Sequence, residues 1–319
     1  MRVRHPALAL VALTATVIAG APFVGPPLDP DTSAFVLWQL RVPRVLMAAL
    51  VGATLSVVGA AYQLVFNNPL ATPSTVGTSA GAVLGVLVAV VLGQPSTTVN
   101  LPWLALAAFA GAVSTTAVVA ALAASGRSRM QDVLLAGIAV TLAAGAVATA
   151  VESVADVGQR FTVSQWSLGH LPQVGYRGVL VLAPLLALAW GGVFSQARAL
   201  HALTAGEDVA RTQGVDVPRT RAIALGAGAI GVAACIAWCG PIGFVGLIVP
   251  HLVRLAGAAS PRALLPLSLV AGMGFLIACD VAARVLVPGH EIPVGVVTAA
   301  LGAPALLALL AAPGARGPR

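Results

Sequence analysis

Few residues in this 319-residue chain are of types that do chemistry, and they are dispersed. Asp280 and Arg284 stand four apart within an apolar run, the spacing at which opposite charges meet on one helix face. Charge in such a run is costly and turns toward a protein interior, so a local ion pair is expected before a proton relay. A relay would want further carboxylates, and Glu152 and Asp156, at the end of another apolar run, are the ones available. His251, close to Arg254, reads as a structural histidine at a helix end. Cys235 and Cys239 share a helical face, but neither histidine nor carboxylate shares their stretch. With Cys279 they read as small packing residues, so no metal, cofactor or catalytic residue is expected.

The segment Gly240-Pro241-Ile242-Gly243-Phe244-Val245-Gly246, continuing through Leu247 to Pro250 and His251, is the other unusual feature. Two prolines and three glycines in 11 residues break a straight helix, because proline removes a donor and clashes with the preceding turn. Non-helical backbone at membrane depth is tolerated only inside protein or along a watery cavity. Gly240, Pro241, Gly243, Gly246 and Pro250 are therefore candidates for a hinge or pathway wall. The glycine spacing is no nucleotide fingerprint, since it lacks the preceding strand and the G-x-G turn.

Composition sets the frame for these residues. Apolar residues make up 59% of the chain and charged ones 8%, with a mean hydropathy of +0.97. A soluble domain carries about 25% charge. All 17 basic residues are arginine; without lysine the chain has neither a P-loop nor a Schiff-base nucleophile. The formal charge of +7 comes from arginines scattered between apolar runs, which fits basic cytoplasmic loops better than nucleic-acid binding.

A bilayer core needs about 20 apolar residues per helix. Ten runs qualify as candidates: 7–24, 42–66, 74–93, 101–124, 133–151, 178–194, 222–239, a short broken one at 243–257, 264–287 and 293–312. The first has an alternative reading as a signal peptide, with Ala19-Gly20-Ala21 as a cleavage site, but nine further spans favour a retained helix. With the N-terminus inside, 12 arginines fall in cytoplasmic segments. Arg41, Arg44, Arg160, Arg177 and Arg284 fall outside. The bias places both termini in the cytoplasm. Small residues at Gly226-Ala227-Gly228-Ala229-Ile230-Gly231 and Gly52-x-x-x-Ser56 suit close helix packing. The expected fold is an all-α polytopic membrane bundle of about ten helices, one transmembrane domain over 1–319, with a tail at 313–319.

One polar segment interrupts the pattern, a cytoplasmic loop at 196–221. Its 26 residues hold seven of the chain's 27 charges. Thr204-Ala205-Gly206-Glu207 has capping-box spacing, and Gly214 sits where a left-handed C-terminal cap belongs. Pro218 would prevent extension. These signals predict a short helix of two to three turns near the membrane, either a plain solvated helix or a docking element for a motor supplied by another chain.

Several motifs, in order along the chain, resemble the permeases of type II ABC importers, the FecCD-type family. They are Arg41-Val42-Pro43-Arg44-Val45-Leu46, Asn68-Pro69-Leu70-Ala71-x-Pro73, Leu135-Ala136-Gly137-Ile138 and Gly206-Glu207-x-x-Ala210-Arg211-x-x-Gly214. The Gly240–His251 segment and Glu291-Ile292-Pro293-Val294-Gly295-Val296-Val297-Thr298, followed by Gly302-Ala303-Pro304, complete the set. The resemblance runs from about residue 38 to 312. It implies a non-enzymatic subunit in a bacterial inner membrane: a homodimer with two separate ATPase subunits below and a periplasmic or lipid-anchored binding protein above. It assigns Thr204, Gly206, Glu207, Arg211 and Gly214 to ATPase coupling. It assigns Arg41, Arg44 and, less directly, Arg284 to docking glutamates of the binding protein. The implied cargo is a bulky metal chelate, a ferric siderophore first, with haem or cobalamin as alternatives; an ion-coupled secondary transporter is the rival mechanism. Where the family often reads Trp-x-x-Gly-Ser, this chain has Trp166-Ser167-Leu168-Gly169-His170, which makes His170 a position of interest for cargo.

Overall fold

The computed structural model describes residues 4–25, 31–93, 101–124, 130–171, 175–257, 260–287 and 289–311. Arg2, Arg127, Arg129, Arg316, Arg319 and the tail 313–319, all expected in the cytoplasm, lie outside the described residues. Among the described residues there is helix and turn but no strand.

The first apolar run forms α1 (Arg4–Gly20), closed by a 3-10 turn at Ala21–Phe23. Next, α2 (Ser33–Phe35) passes through a π turn at Val36–Arg41 into α3 (Val42–Val65). The chain is thus helical without a break over Ser33–Val65, beginning nine residues before the apolar run. Then come α4 (Thr78–Leu92), α5 (Leu101–Ala124), α6 (Met130–Val154) and a short α7 (Val157–Ser167). α8 (Arg177–Ser195), α9 (Ala197–Leu203) and α10 (Glu207–Thr212) lead to α11 (Val217–Cys239). The chain finishes with α12 (Val245–Leu255), α13 (Pro261–Val285) and α14 (Val294–Ala311).

Six of these helices are long and apolar enough to cross a membrane: Ser33–Val65, Trp103–Ala123, Asp132–Val154, Arg177–Ser195, Val217–Cys239 and Arg262–Val285. Four shorter apolar helices, Ala7–Phe23, Thr78–Leu92, Val245–Leu255 and Val294–Ala308, occupy the remaining apolar runs. The protein is a multi-pass, all-helical membrane bundle.

The bundle is built around α3, whose most apolar window is 83% buried, against 22–28% for α5, α6 and α8 at the periphery. Its packing follows from small residues. A Cβ on Gly52 would run into the Gly272 carbonyl of α13, and one on Gly272 into the Gly52 carbonyl and the Ser56 hydroxyl. Gly59 and Gly246 form the same kind of contact between α3 and α12. Backbones in direct contact gain dispersion where lipid supplies no hydrophobic drive. In the Gly226–Gly231 run, Gly228 faces Tyr62 and Val58, and Gly231 faces Ala189 and Thr54, whereas Gly226 faces open space. Two large polar side chains inside find partners. Tyr62 Oη donates to the Leu225 carbonyl at 2.8 Å and Trp190 Nε1 to Thr54 Oγ1 at 3.0 Å. Cys235, Cys239 and Cys279 are all free and buried within this packing.

Candidate functional site

The candidate residues gather in three parts of the bundle. The first begins with the π turn before α3, which winds wider than an α-helix and ends on Arg41. Three residues on, Arg44 faces α13. Its Nε donates to Asp280 Oδ1 at 2.8 Å and its Nη1 to Glu291 Oε2 at 2.8 Å. Arg284, one turn beyond Asp280, meets Asp280 Oδ2 at 3.2 Å. Its Nη1 donates to the Val24 carbonyl at 3.0 Å and its Nη2 to the Ala21 carbonyl at 3.2 Å. Arg41 Nη1 reaches the Pro22 carbonyl at 3.3 Å.

Asp280 is fully buried, and Arg41, Arg44 and Arg284 are 9%, 7% and 8% exposed. The expected local pair of Asp280 and Arg284 is present, and Arg44 joins it from α3. This placement differs from an outward row of free cations: Arg44 and Arg284 are engaged by carboxylates of their own chain. Low dielectric explains the difference, since a guanidinium among helices is stable only beside an acceptor. Glu291, 48% exposed at its side chain, is the part of the cluster open to solvent.

His170 lies beside this cluster. The loop at 168–170 is stitched to its neighbours: His170 N donates to the Cys239 carbonyl at 2.8 Å and Gly295 N to the Gly169 carbonyl at 3.1 Å. Partial burial, and then the nearby Arg44 cation, hold the His170 imidazole below its usual pKa. The other carboxylates weighed for a proton relay are exposed. Asp156 caps α7, accepting from Gln159 N at 2.8 Å while Gln159 Oε1 accepts from Asp156 N at 2.9 Å.

The second part is the break between α11 and α12. Gly240 ends α11 with φ +68°, and a Cβ there would strike the Trp166 carbonyl. Phe244, with φ +65°, adopts a left-handed conformation that is uncommon for a residue bearing a Cβ. Its ring abuts Gly302 of α14, which leaves no room for a Cβ. The expected break is present, but its residues divide in character. Gly243 has open space around it, while Gly246 is clamped against α3 at Leu55 and Gly59. Pro250 is buried inside α12. Beyond it, Arg254 Nη1 donates to Gln63 Oε1 at 2.6 Å, and Gln63 Nε2 donates to the Gly246 carbonyl at 3.3 Å.

The third part is the polar segment at 196–221. It holds two short helices, α9 and α10, and α11 starts within it. The expected capping box does not form. Thr204 is the C-cap of α9, and its hydroxyl donates to the His201 carbonyl at 2.7 Å. Gly206, at φ +109°, is the residue before α10 instead. The extra helix α9 takes Thr204 before it can serve α10. The C-terminal expectation is met: Gly214 has φ +78°, Gly214 N bonds to the Arg211 carbonyl and Val215 N to the Ala210 carbonyl, both at 3.0 Å. That is the Schellman arrangement. Pro218 starts rather than stops a helix: it lies in the first turn of α11, which Asp216 caps by accepting from Arg219 N at 3.1 Å.

The carboxylate of Glu207, freed from capping, turns to arginine. It faces Arg211 at 3.7 Å and makes a close ion pair with Arg221 of α11. Sequence reasoning named Glu207 and Arg211 but missed Arg221 as a partner. An arginine 14 positions on belongs to no local spacing rule; the signal was a pair of arginines, Arg219 and Arg221, at the mouth of a long apolar helix.

The candidate residues thus occupy an apolar bundle with an arginine-rich ion cluster at one end, short polar helices at the other and a break where α11 ends, next to the His170 loop. No group of three or more metal-ligating side chains occurs among the described residues. The chain is 39% identical over 283 residues to a cobalamin import system permease protein, BtuC, of Halobacterium salinarum, covering 88% of this chain and 74% of the relative. It is 38% identical over 309 residues to the vitamin B12 import system permease protein BtuC of Escherichia coli O157:H7, covering 95% and 92%. Among solved structures, an inward-facing protein described as a metal-chelate type ABC transporter superposes with a TM-score of 0.85 at 26% identity, over 97% of this chain and 99% of the other. PsaBC from Streptococcus pneumoniae shares the fold at a TM-score of 0.54 and 16% identity, over 86% and 92%. The model of the FecCD transport family matches residues 8–312, and the chain belongs to that family.

Proposed function

We propose that this chain is the permease subunit of an ATP-binding-cassette importer, and that its cargo is a cobalamin. The near-full-length identity to two cobalamin permeases carries the reading. It displaces the ferric siderophore favoured by the motifs alone, because those motifs are shared by permeases of several chelates. The chain has no lysine for a P-loop of its own, so hydrolysis belongs to a partner ATPase.

In this reading the single domain over 1–319 crosses a bacterial inner membrane ten times, six times by long helices and four times by shorter ones, with both termini in the cytoplasm. Two copies form the pathway. Two ATPase subunits dock on Thr204, Gly206, Glu207, Arg211 and Gly214, and a binding protein docks at the opposite end around Arg41, Arg44 and Arg284. The ion cluster there acts as a preset scaffold under the half-exposed Glu291 rather than as three free cations. Closure of the ATPase pair moves α9 and α10, and the bundle switches access as coupled rigid units, with Gly240, Pro241 and Gly243 accommodating the change.

The test is uptake in proteoliposomes holding the permease, its ATPase and its binding protein. Cyanocobalamin uptake that requires ATP, in excess over haem and a ferric siderophore, is the expected result. ATP-dependent uptake of another chelate alone would remove the cobalamin assignment. Uptake that persists without the ATPase but collapses with an ion gradient would remove the importer reading.

A further inference from the structure

The contact between Glu207 and Arg221 has a use that docking alone does not require. Arg221 stands in the second turn of α11, with its side chain only 5% exposed, whereas that of Glu207 is 39% exposed. Arg221 Nε is buried without a hydrogen-bond partner, so this cation depends on the Glu207 carboxylate, which its Nη2 engages directly. The other oxygen of Glu207 faces Arg211, which is 56% exposed at its side chain. One carboxylate therefore bridges an outer arginine on α10 and a buried arginine on α11.

The position of α11 gives this bridge its significance. Its 23 residues extend about 35 Å, from the α10 side of the bundle to the break at Gly240. A displacement of α10 reaches that break through α11 only if the two helices move together. Apolar contact alone, such as that of the buried Ala210, allows sliding; a carboxylate engaging a buried guanidinium favours one geometry, because moving away would leave that cation without a partner. We propose that Arg221 is the positioning residue that clamps α10 to α11 through Glu207, so that ATPase-driven motion of α10 is delivered to the Gly240–Phe244 break. The proposal rests on the docking reading of α10.

The experiment uses the assembled importer in proteoliposomes and measures cargo transported per ATP hydrolysed. Arg221→Gln should lower that ratio roughly tenfold, the size of a typical coupling between sites, while the ATPase still co-purifies with the permease. Arg221→Lys, which keeps the charge, should recover part of the loss. Glu207→Gln breaks the same pair from its exposed side and should lower the ratio to a similar degree, with no further fall in the double variant. A wild-type ratio in Arg221→Gln, or losses that multiply in the double variant, would overturn the clamp. If Arg221→Gln fails to accumulate in the membrane, a wild-type ratio in Glu207→Gln overturns it equally. A wild-type permease that does not retain the ATPase would instead bring down the docking reading beneath it.

Discussion

Replacing Asp280 with asparagine should destabilise the permease by about 3 kcal/mol, the lower end of the cost of breaking a buried ion pair. Asp280 is fully buried, and its two oxygens face guanidinium groups at 2.8 and 3.2 Å. Asparagine keeps the size but removes the charge, which leaves two cations with side-chain exposures of 8% and 5%. Neither is stranded altogether. Arg44 retains Glu291, a half-exposed and therefore screened carboxylate, and Arg284 retains the carbonyls of Ala21 and Val24. These remaining partners set the estimate at the low end. The assay is unfolding by SDS in mixed micelles, followed through the fluorescence of the five tryptophans. Glu291→Gln, at the exposed margin, should cost less than about 1 kcal/mol in the same assay. Replacing Asp280, Arg44 and Arg284 together by apolar residues of similar size should restore much of the loss, because the two cations are then removed along with their shared carboxylate. An Asp280→Asn variant within about 1 kcal/mol of wild type would refute the claim that this carboxylate holds the cluster together.

The same titration reads two further effects. The fold favours the neutral ring of His170, so below about pH 6.5 the unfolded chain binds the proton more readily. Stability should therefore be full above that pH and decline as pH falls toward the folded pKa, and His170→Asn should flatten the decline; an unchanged slope would place it on another group. At the polar end, Asp216→Ala removes the cap of α11 and should cost about 1 kcal/mol, whereas Thr204→Ala should cost less than about half of that because Thr204 caps no N-terminus. Equal costs would restore the capping box.

Much of the architecture is legible in the sequence because the bilayer imposes one dominant rule, and the run at 101–124 becomes α5 with no change of boundary. Misplacements arise where a neighbour competes for a residue. Thr204 fits the capping box until α9, invisible in a polar segment, takes it as its own end. Pro218 reads as a stop because a stop and a first-turn proline look alike until Asp216 is seen accepting from Arg219. In the candidate site, the Asp280–Arg284 pair follows from local spacing. Its completion by Arg44, 236 positions away, depends on the crossing of α3 and α13, which no local pattern encodes. For the same reason Arg44 gave no sign of an internal partner, since its carboxylates lie on α13 and beyond it.

The glycine crossings of α3 have a mechanical consequence. Where carbonyl rests on backbone, at Gly52 with Gly272 and Gly59 with Gly246, the touching atoms are main chain and have no rotamer to change, so there is little intermediate packing to slide through. The contact between α11 and α8 is of another kind, with Ala189 facing Gly231 and Ala227 facing Gly192, so the two backbones stand a methyl's width apart and can shift by small steps. The bundle thus has a stiff spine of α3, α12 and α13 and a more compliant flank at α11 and α8. In the proposed transport cycle, work applied at the α9–α10 end would be taken up by the flank, and the spine would serve as the fixed reference.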